Sequence, residues 1–453
     1  VVRTLTPTAE PSATPPPLPT LVYEQYIIRS GDTLIAIAQR FDIAVEDLAK
    51  LNGITNANAL QIGQVLRVPI IVPRAAPADR ILPDSEVVYS PAYQNFDVTA
   101  IANQFNGYLA SYRERVEGEN LTGAQIVQLV AERYSVGPRV LLTLLESQSG
   151  WVTKTSLTQT QITYPMGLID SMRQGLFFQT SWAANRLNEG YYGKLSGQLS
   201  IFKFKDRARA RIAPSINPGS AAIQNIYSQL TTIDAWAPAL TGFSATYKTL
   251  FGDPNTNANA IEPLLPRDLK QPTLRLPWSD GAMWYFTGGP HSGWGDASGW
   301  AAVDFTPRDV AGSCWPSGEW VIASAPGKVI RSEHARVMQS LSNNNFQGVG
   351  WVLMYMHIAN VGRVKEGTQL NTSDRIGHPS CEGGNADASH THFARLYNGV
   401  WVTMNDVPFV LSGWSFIPGD REYDGKMARG NETREACNCK DESKNTVVAD
   451  AGK

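Results

Sequence analysis

His390 and His392 lie two residues apart, just before Phe393 and the run Ala394-Arg395-Leu396-Tyr397. That run reads as a strand, and on a strand residues i and i+2 point to one face. Two imidazoles roughly 7 Å apart on one face can share a metal, or divide metal binding from proton transfer. All six histidines of the chain fall between His291 and His392. Upstream stand Gly288-Gly289-Pro290-His291, then Ala302-Val303-Asp304-Phe305, then Tyr355-Met356-His357-Ile358. A lone His-x-His is equally a surface pair. Imidazole, carboxylate, imidazole and His-x-His in this order shift the reading from a surface pair toward a shared metal site.

The ordered set resembles the lysostaphin-type, LytM-like M23 zinc metallopeptidases. The resemblance implies zinc ligands at His291, Asp304 and His392. It implies catalytic roles for His357 and His390, one assisting proton transfer with the bound water, the other stabilising the developing oxyanion. Which does which is left open, because either imidazole can do either task. Two neutral imidazoles and one carboxylate leave zinc a net charge near +1, which favours ionising its water. Two departures stand out. The family's usual spacing between the first His and the Asp is three residues, and here it is twelve. Asp296 is a rival ligand, but Asp304 has the strand context and Asp296 sits in a turn-like Gly293-Trp294-Gly295-Asp296. The intervening Trp294, Ser298 and Trp300 are expected to line the cleft. The usual H-L-H-F is H-T-H-F here, at a position facing away from the metal. His334 and His378 match no motif and read as surface or loop residues.

The elements that carry this set are short. Trp320-Val321-Ile322-Ala323, Lys328-Val329-Ile330 and Trp351-Val352-Leu353-Met354-Tyr355 alternate with Gly and Asn turns. They predict an antiparallel β domain over 269–426, with no helix between Trp278 and Phe409. The polar residues 427–453 read as a tail, flexible unless a cysteine tethers it. Cys314, Cys381, Cys437 and Cys439 lack zinc-thiolate spacing and read as disulfides, with three pairings open.

The N-terminal residues differ in character. Residues 1–24 are rich in Pro and Thr and read as a spacer. Over 25–70 a strand, two short helices and a closing strand follow. Gly31-Asp32-Thr33-Leu34, Ile37-Ala38, Asn52, Gly63-Gln64 and Val68-Pro69 resemble a LysM module. The resemblance implies binding of N-acetylglucosamine chains in a groove between the Gly31, Asp32 and Thr33 turn and the loop at Ile54. Residues 71–96, with four prolines and few large apolar residues, read as a second linker.

Residues 97–268 read as helical. Leu121-Thr122-Gly123-Ala124-Gln125 is a capping-box pattern, and Pro138 opens a further helix. Leu141 to Trp151 resembles the lytic transglycosylase helix in which a Glu precedes Ser-Gly. That position is Gln148, and an amide is no general acid. Glu146 points elsewhere on the helix. The expectation is a lysozyme-like helical domain without cleavage activity.

The expected class is multidomain α+β: a small βααβ LysM module, a mainly α-helical lysozyme-like middle domain and a C-terminal antiparallel β-sheet peptidase domain. With 41 acidic and 39 basic residues, the total charge carries no nucleic-acid or anionic-membrane footprint. No apolar run has the length of a membrane span. The chain starts at Val1 without Met, which reads as a processed or trimmed start. The reading is a secreted or extracytoplasmic, cell-wall associated hydrolase that cuts peptide cross-links of peptidoglycan. A non-catalytic regulatory LytM-like protein and a bifunctional enzyme are the alternatives. The full motif set disfavours the first and Gln148 the second.

Overall fold

The computed structural model describes residues 21–450, apart from 42, 58, 59, 73, 257, 311, 313 and 343. The expected spacer over 1–24 lies outside the described residues up to residue 20. The chain divides into two compact units. One comprises the chain through Pro77 with Ser200–Lys203 and Arg207–Pro214, and the other comprises the remainder.

In the first unit, strand Leu21–Ile27 pairs antiparallel with Val65–Ile71. Between them lie helices Leu34–Arg40 and Val45–Leu51. Thr33 caps the first helix by accepting from the Ala36 amide, a role its hydroxyl suits. Asn52 donates to the carbonyls of Leu48 and Arg67 and accepts from the Arg67 amide, tying helix to strand. Leu34, Ile37, Leu48, Leu66 and Val68 form the core, and Ile201 joins it. Ile201 belongs to a hairpin, Ile201–Lys203 with Arg209–Arg211. Glu24 pairs with Lys203 at 2.6 Å and Arg209 at 2.7 Å. The Ala76 amide donates to the Arg211 carbonyl at 2.7 Å.

The second unit begins with helices. Thr122 and Gln125 form a reciprocal capping box at the start of Gly123–Tyr134. Pro138 is the first residue of Pro138–Ser149. Helices Leu176–Leu195 and Pro218–Leu230 cross closely, because a Cβ on Gly190 would lie 2.6 Å from the Ala222 backbone. Residues 71–96, expected as a linker, contain helix Asp84–Val87, with Ser85, Glu86 and Val87 buried. Glu86 accepts from the Tyr93 and Tyr247 hydroxyls and pairs with Arg139 at 2.8 Å. The prolines here mark packed turns. A buried carboxylate needs such partners to be tolerated at all.

A large antiparallel sheet follows. Its strands run in the order Gln369–Leu370, Gly327–Glu333, Arg336–Ser340, Trp351–Met356, Thr391–Tyr397, Trp300–Pro307, Met283–Ser292 and Thr446–Val448. Alternation sends Val303, Phe305, Leu353, Tyr355 and Phe393 into one core with Trp278 and Trp284. Trp278 and Trp284 stack with ring centroids 5.0 Å apart. The polar C-terminal stretch is folded: Val447 pairs with Trp284 and is buried with Ala449. Among the described residues, no helix is long and apolar enough to cross a membrane.

Candidate metal centre

Three neighbouring strands bring the motif residues together. His392 lies directly across from Asp304, and Asp304 directly across from Gly288. Val303, Phe305 and Phe393 take the core face, so alternation turns Asp304 and His392 to the other. The pairing of Met283–Ser292 with Trp300–Pro307 slips between Gly288 and His291. Such an irregularity re-aims a side chain, and His291 reaches the same site. The twelve residues separating His291 from Asp304 are thus the end of a β-hairpin. Gly288 has no room for a side chain, since a Cβ there would lie 2.4 Å from Asp304 Oδ2.

Ligand atoms of His291, Asp304 and His392 all lie within 4.8 Å of one another. His291 Nε2 is 2.9 Å from His392 Nδ1. Asp304 Oδ1 is 3.3 Å from the first and 3.2 Å from the second. The opposite ring nitrogens face carbonyls: His291 Nδ1 lies 2.7 Å from Gly289 O, and His392 Nε2 lies 3.0 Å from Gly293 O. A ring nitrogen facing a carbonyl carries the proton, so the other presents a lone pair. Two lone pairs and a carboxylate oxygen therefore converge, and Asp304 Oδ1 is buried without a hydrogen-bond partner. Such a convergence demands a cation, and the donor set fits a metal ion.

The electrostatics agree. Burial pushes Asp304 up, but His291, His392 and His390 outweigh it and hold the carboxyl well below its ordinary range. Burial pushes His291 down, yet Asp304 and the Gly289 carbonyl carry it above its ordinary value. His392 is lowered, chiefly by burial. His357, buried and next to His390 and His392, is pushed down to about 3.

His357 and His390 stand beside this trio, with ring centroids 4.4 Å apart. His390 Nδ1 faces Ala388 O at 2.8 Å, and His357 Nδ1 faces Glu382 O at 3.1 Å. Each Nε2 is left as the acceptor. Ser380 holds both residues in place: its amide donates to the His357 carbonyl, and its own carbonyl accepts from the His390 amide. Cys381, next in sequence, is bonded to Cys314, and Cys437 to Cys439.

Asp296 is not in the cluster. It is exposed and pairs with Arg186 at 3.2 Å. Of the intervening residues, Trp294 has the guanidinium groups of Arg133 and Arg336 against its ring, and its amide donates to the Ser298 hydroxyl. His378 packs on Trp320, and His334 pairs with Glu117. Two residues escaped the sequence reading. Tyr423 stacks on His291 with centroids 4.1 Å apart, and Glu422 accepts from the Ser292 amide and hydroxyl. No pattern around them distinguishes them from an ordinary turn.

In the first unit, Gly31 adopts φ +87°. Asp32 accepts from the Tyr26 hydroxyl and the Arg29 amide, which keep its carboxyl low. Thr33 is engaged as the helix cap, and Ile54 packs against the core. In the helical region the Glu146 carboxylate accepts from the Val152 and Thr153 amides and the Thr153 hydroxyl. It caps a turn. Gln148 lies against Gly167.

Comparisons with known proteins agree with this layout. Residues 26–69 match the LysM domain family model, and residues 80–264 match that of the LasA N-terminal domain. The second match covers the stretch expected to be lysozyme-like. Protease LasA of Pseudomonas aeruginosa (strain UCBPP-PA14) is 27% identical over 322 residues, covering 65% of this chain and 71% of the relative. Among solved structures, the M23 metalloprotease pseudoalterin from the deep sea is 25% identical with a TM-score of 0.31, covering 37% of this chain and 96% of that one. The catalytic domain of lysostaphin from Staphylococcus simulans is 22% identical with a TM-score of 0.19, covering 25% and 80%. The chain is homologous to Protease LasA, with a LysM domain, a LasA-type N-terminal domain and a His–Asp–His site in its C-terminal sheet.

Proposed function

We propose that this protein is a secreted zinc endopeptidase that hydrolyses peptide cross-links of peptidoglycan, held on its substrate by glycan binding at the LysM domain. The observation that carries the reading is the convergence of His291 Nε2, His392 Nδ1 and Asp304 Oδ1, with both imidazole protons tied to carbonyls. Zinc bound by these residues supplies Lewis acidity, polarising the scissile carbonyl and lowering the pKa of water. The protein's own groups do the rest. The Gly289 and Gly293 carbonyls fix the ring orientations of the two ligands. Asp304 offsets part of the metal's charge. His357 and His390 present Nε2 acceptors beside the cluster, which suits them to take the water's proton and to face the developing oxyanion.

In this reading Gly31, Asp32, Thr33 and Ile54 frame the glycan groove of the LysM domain. Residues 97–268 bind or space the wall polymer without cutting it. Paired cysteines suit an extracytoplasmic setting. The test is mass spectrometry of purified peptidoglycan after digestion by the full chain, with and without chelator. New peptide ends that vanish with chelator and return with zinc are the expected result. Intact cross-links under both conditions would refute the reading.

A further inference from the structure

Trp315 is the one tryptophan that is largely exposed among the described residues, at 78%. An indole left in water forfeits its hydrophobic burial and keeps its face open to a partner. The segment carrying it is not a loose loop. Ser317 donates its hydroxyl to Asp309 Oδ1 and its amide to the Pro379 carbonyl, and the Gly318 amide donates to Asp309 Oδ2. Cys314 is bonded to Cys381. The Ser389 hydroxyl donates to the Trp315 carbonyl at 2.6 Å.

Both anchor points matter for where the ring stands. Cys381 follows Ser380, the residue that holds His357 and His390. Ser389 immediately precedes His390. One hydrogen bond and one chain step thus separate the Trp315 backbone from that of His390, a distance of at most about 11 Å. The backbone that carries the exposed ring is thus tethered to the segments that hold His357 and His390, while Tyr423 stacks on His291.

We propose that Trp315 is a substrate-contacting residue of the peptidase cleft, a fixed aromatic platform for the peptide chain next to the scissile bond. This rests on the endopeptidase reading above. A rigid aromatic side chain gives large contact area at low entropic cost, and its mounting is already ordered before substrate arrives. The occupant is peptide rather than sugar because the segment bearing the ring is tied to the segments of His390 and His357, which the endopeptidase reading sets at the scissile bond.

The experiment uses the full chain and cross-linked stem peptides freed from purified sacculi by an amidase, so that no glycan is present. Turnover is followed by new amino termini, and binding by calorimetry with chelator-treated protein. Trp315→Ala is expected to raise KM at least about 10-fold and weaken Kd alike, with kcat within about twofold. Its metal content should equal that of the unsubstituted protein, and Trp315→Phe should recover most of the loss. Unchanged KM and Kd in Trp315→Ala would overturn the proposal. So would a defect seen on whole sacculi but not on the free peptides, which would place the ring on glycan. An unsubstituted protein that binds the peptides through Trp315 without cutting them would overturn the endopeptidase reading and leave this assignment standing. One that neither binds nor cuts them would overturn both.

Discussion

Asp304 and His392 face each other as a register pair in adjacent antiparallel strands, with carboxylate oxygen and imidazole Nδ1 3.2 Å apart. Strand pairing therefore fixes two of the three positions proposed to hold the metal. Asp304→Ala should drop metal content well below one ion per chain and abolish hydrolysis. Asp296→Ala, which removes only an exposed pair with Arg186, should keep both. Elemental analysis of the two variants decides, and the reverse pattern would exclude the assignment.

Gly288 lies opposite Asp304, and a methyl group there would press on Oδ2, Cβ and Cγ of that side chain. Gly288→Ala should displace the carboxylate while leaving the sheet paired. Metal affinity is expected to fall about 10- to 100-fold, the scale seen when a supporting group is removed. Competition with a metal-binding dye reads this directly, with circular dichroism checking the fold. Unaltered affinity would mean that the carboxylate does not need this gap.

His357 and His390 sit beside the cluster rather than in it. His357→Ala and His390→Ala should each retain metal and lose about 10²-fold or more in kcat. Near-normal turnover in both variants, with metal in place, would remove them from the mechanism.

The buried His357 also sets a pH dependence. Its folded pKa is pushed down to about 3 from 6.5. Between those values the unfolded chain binds a proton that the folded chain does not. Stability must then rise with pH in that window and fall as the solution is acidified below 6.5. In the metal-free protein this group alone approaches a slope of about 1.4 kcal/mol per pH unit. His357→Gln should flatten the melting-temperature profile between pH 6 and 4 (about the middle of the window). Parallel profiles for the two proteins would contradict the burial argument.

The helical region should release no anhydro-ended muropeptides from sacculi. Gln148 cannot act as an acid, and the carboxylate within the same motif, Glu146, is occupied by two amides and a hydroxyl. Glu146→Gln should instead cost about 1–3 kcal/mol of stability through the weakened turn. Glycan cleavage by the intact protein that disappears in Glu146→Gln would show the region to be a second active site.

The site was legible because strand alternation and motif order are local properties. Val303-Asp304-Phe305 shows apolar, polar and apolar faces on its own, and so does the sequence around His392. Thr122 and Pro138 were equally readable as helix starts, since caps act over three or four residues. Long-range contacts were not readable. Tyr423 and Glu422 reach the site through a turn that nothing in their neighbourhood marks. Residues 71–96 looked like a spacer because prolines are read first, whereas Glu86 finds Arg139 and Tyr247 only in the fold. Val447 looks like part of a polar tail until the open edge beside Trp284 is seen.

The hairpin that contributes Ile201 to the LysM core has a consequence for biosynthesis. Chain through Pro77 leaves the ribosome first, but its remaining pieces begin at Ser200 and end at Pro214. At about 5–20 residues per second, the intervening chain takes roughly 6–25 s to appear. During that interval the seat of Ile201 is open and Glu24 lacks both Lys203 and Arg209. The nascent module is therefore an incomplete body awaiting a late insertion, and grafting residues 21–77 alone onto another protein would transplant that unfinished state.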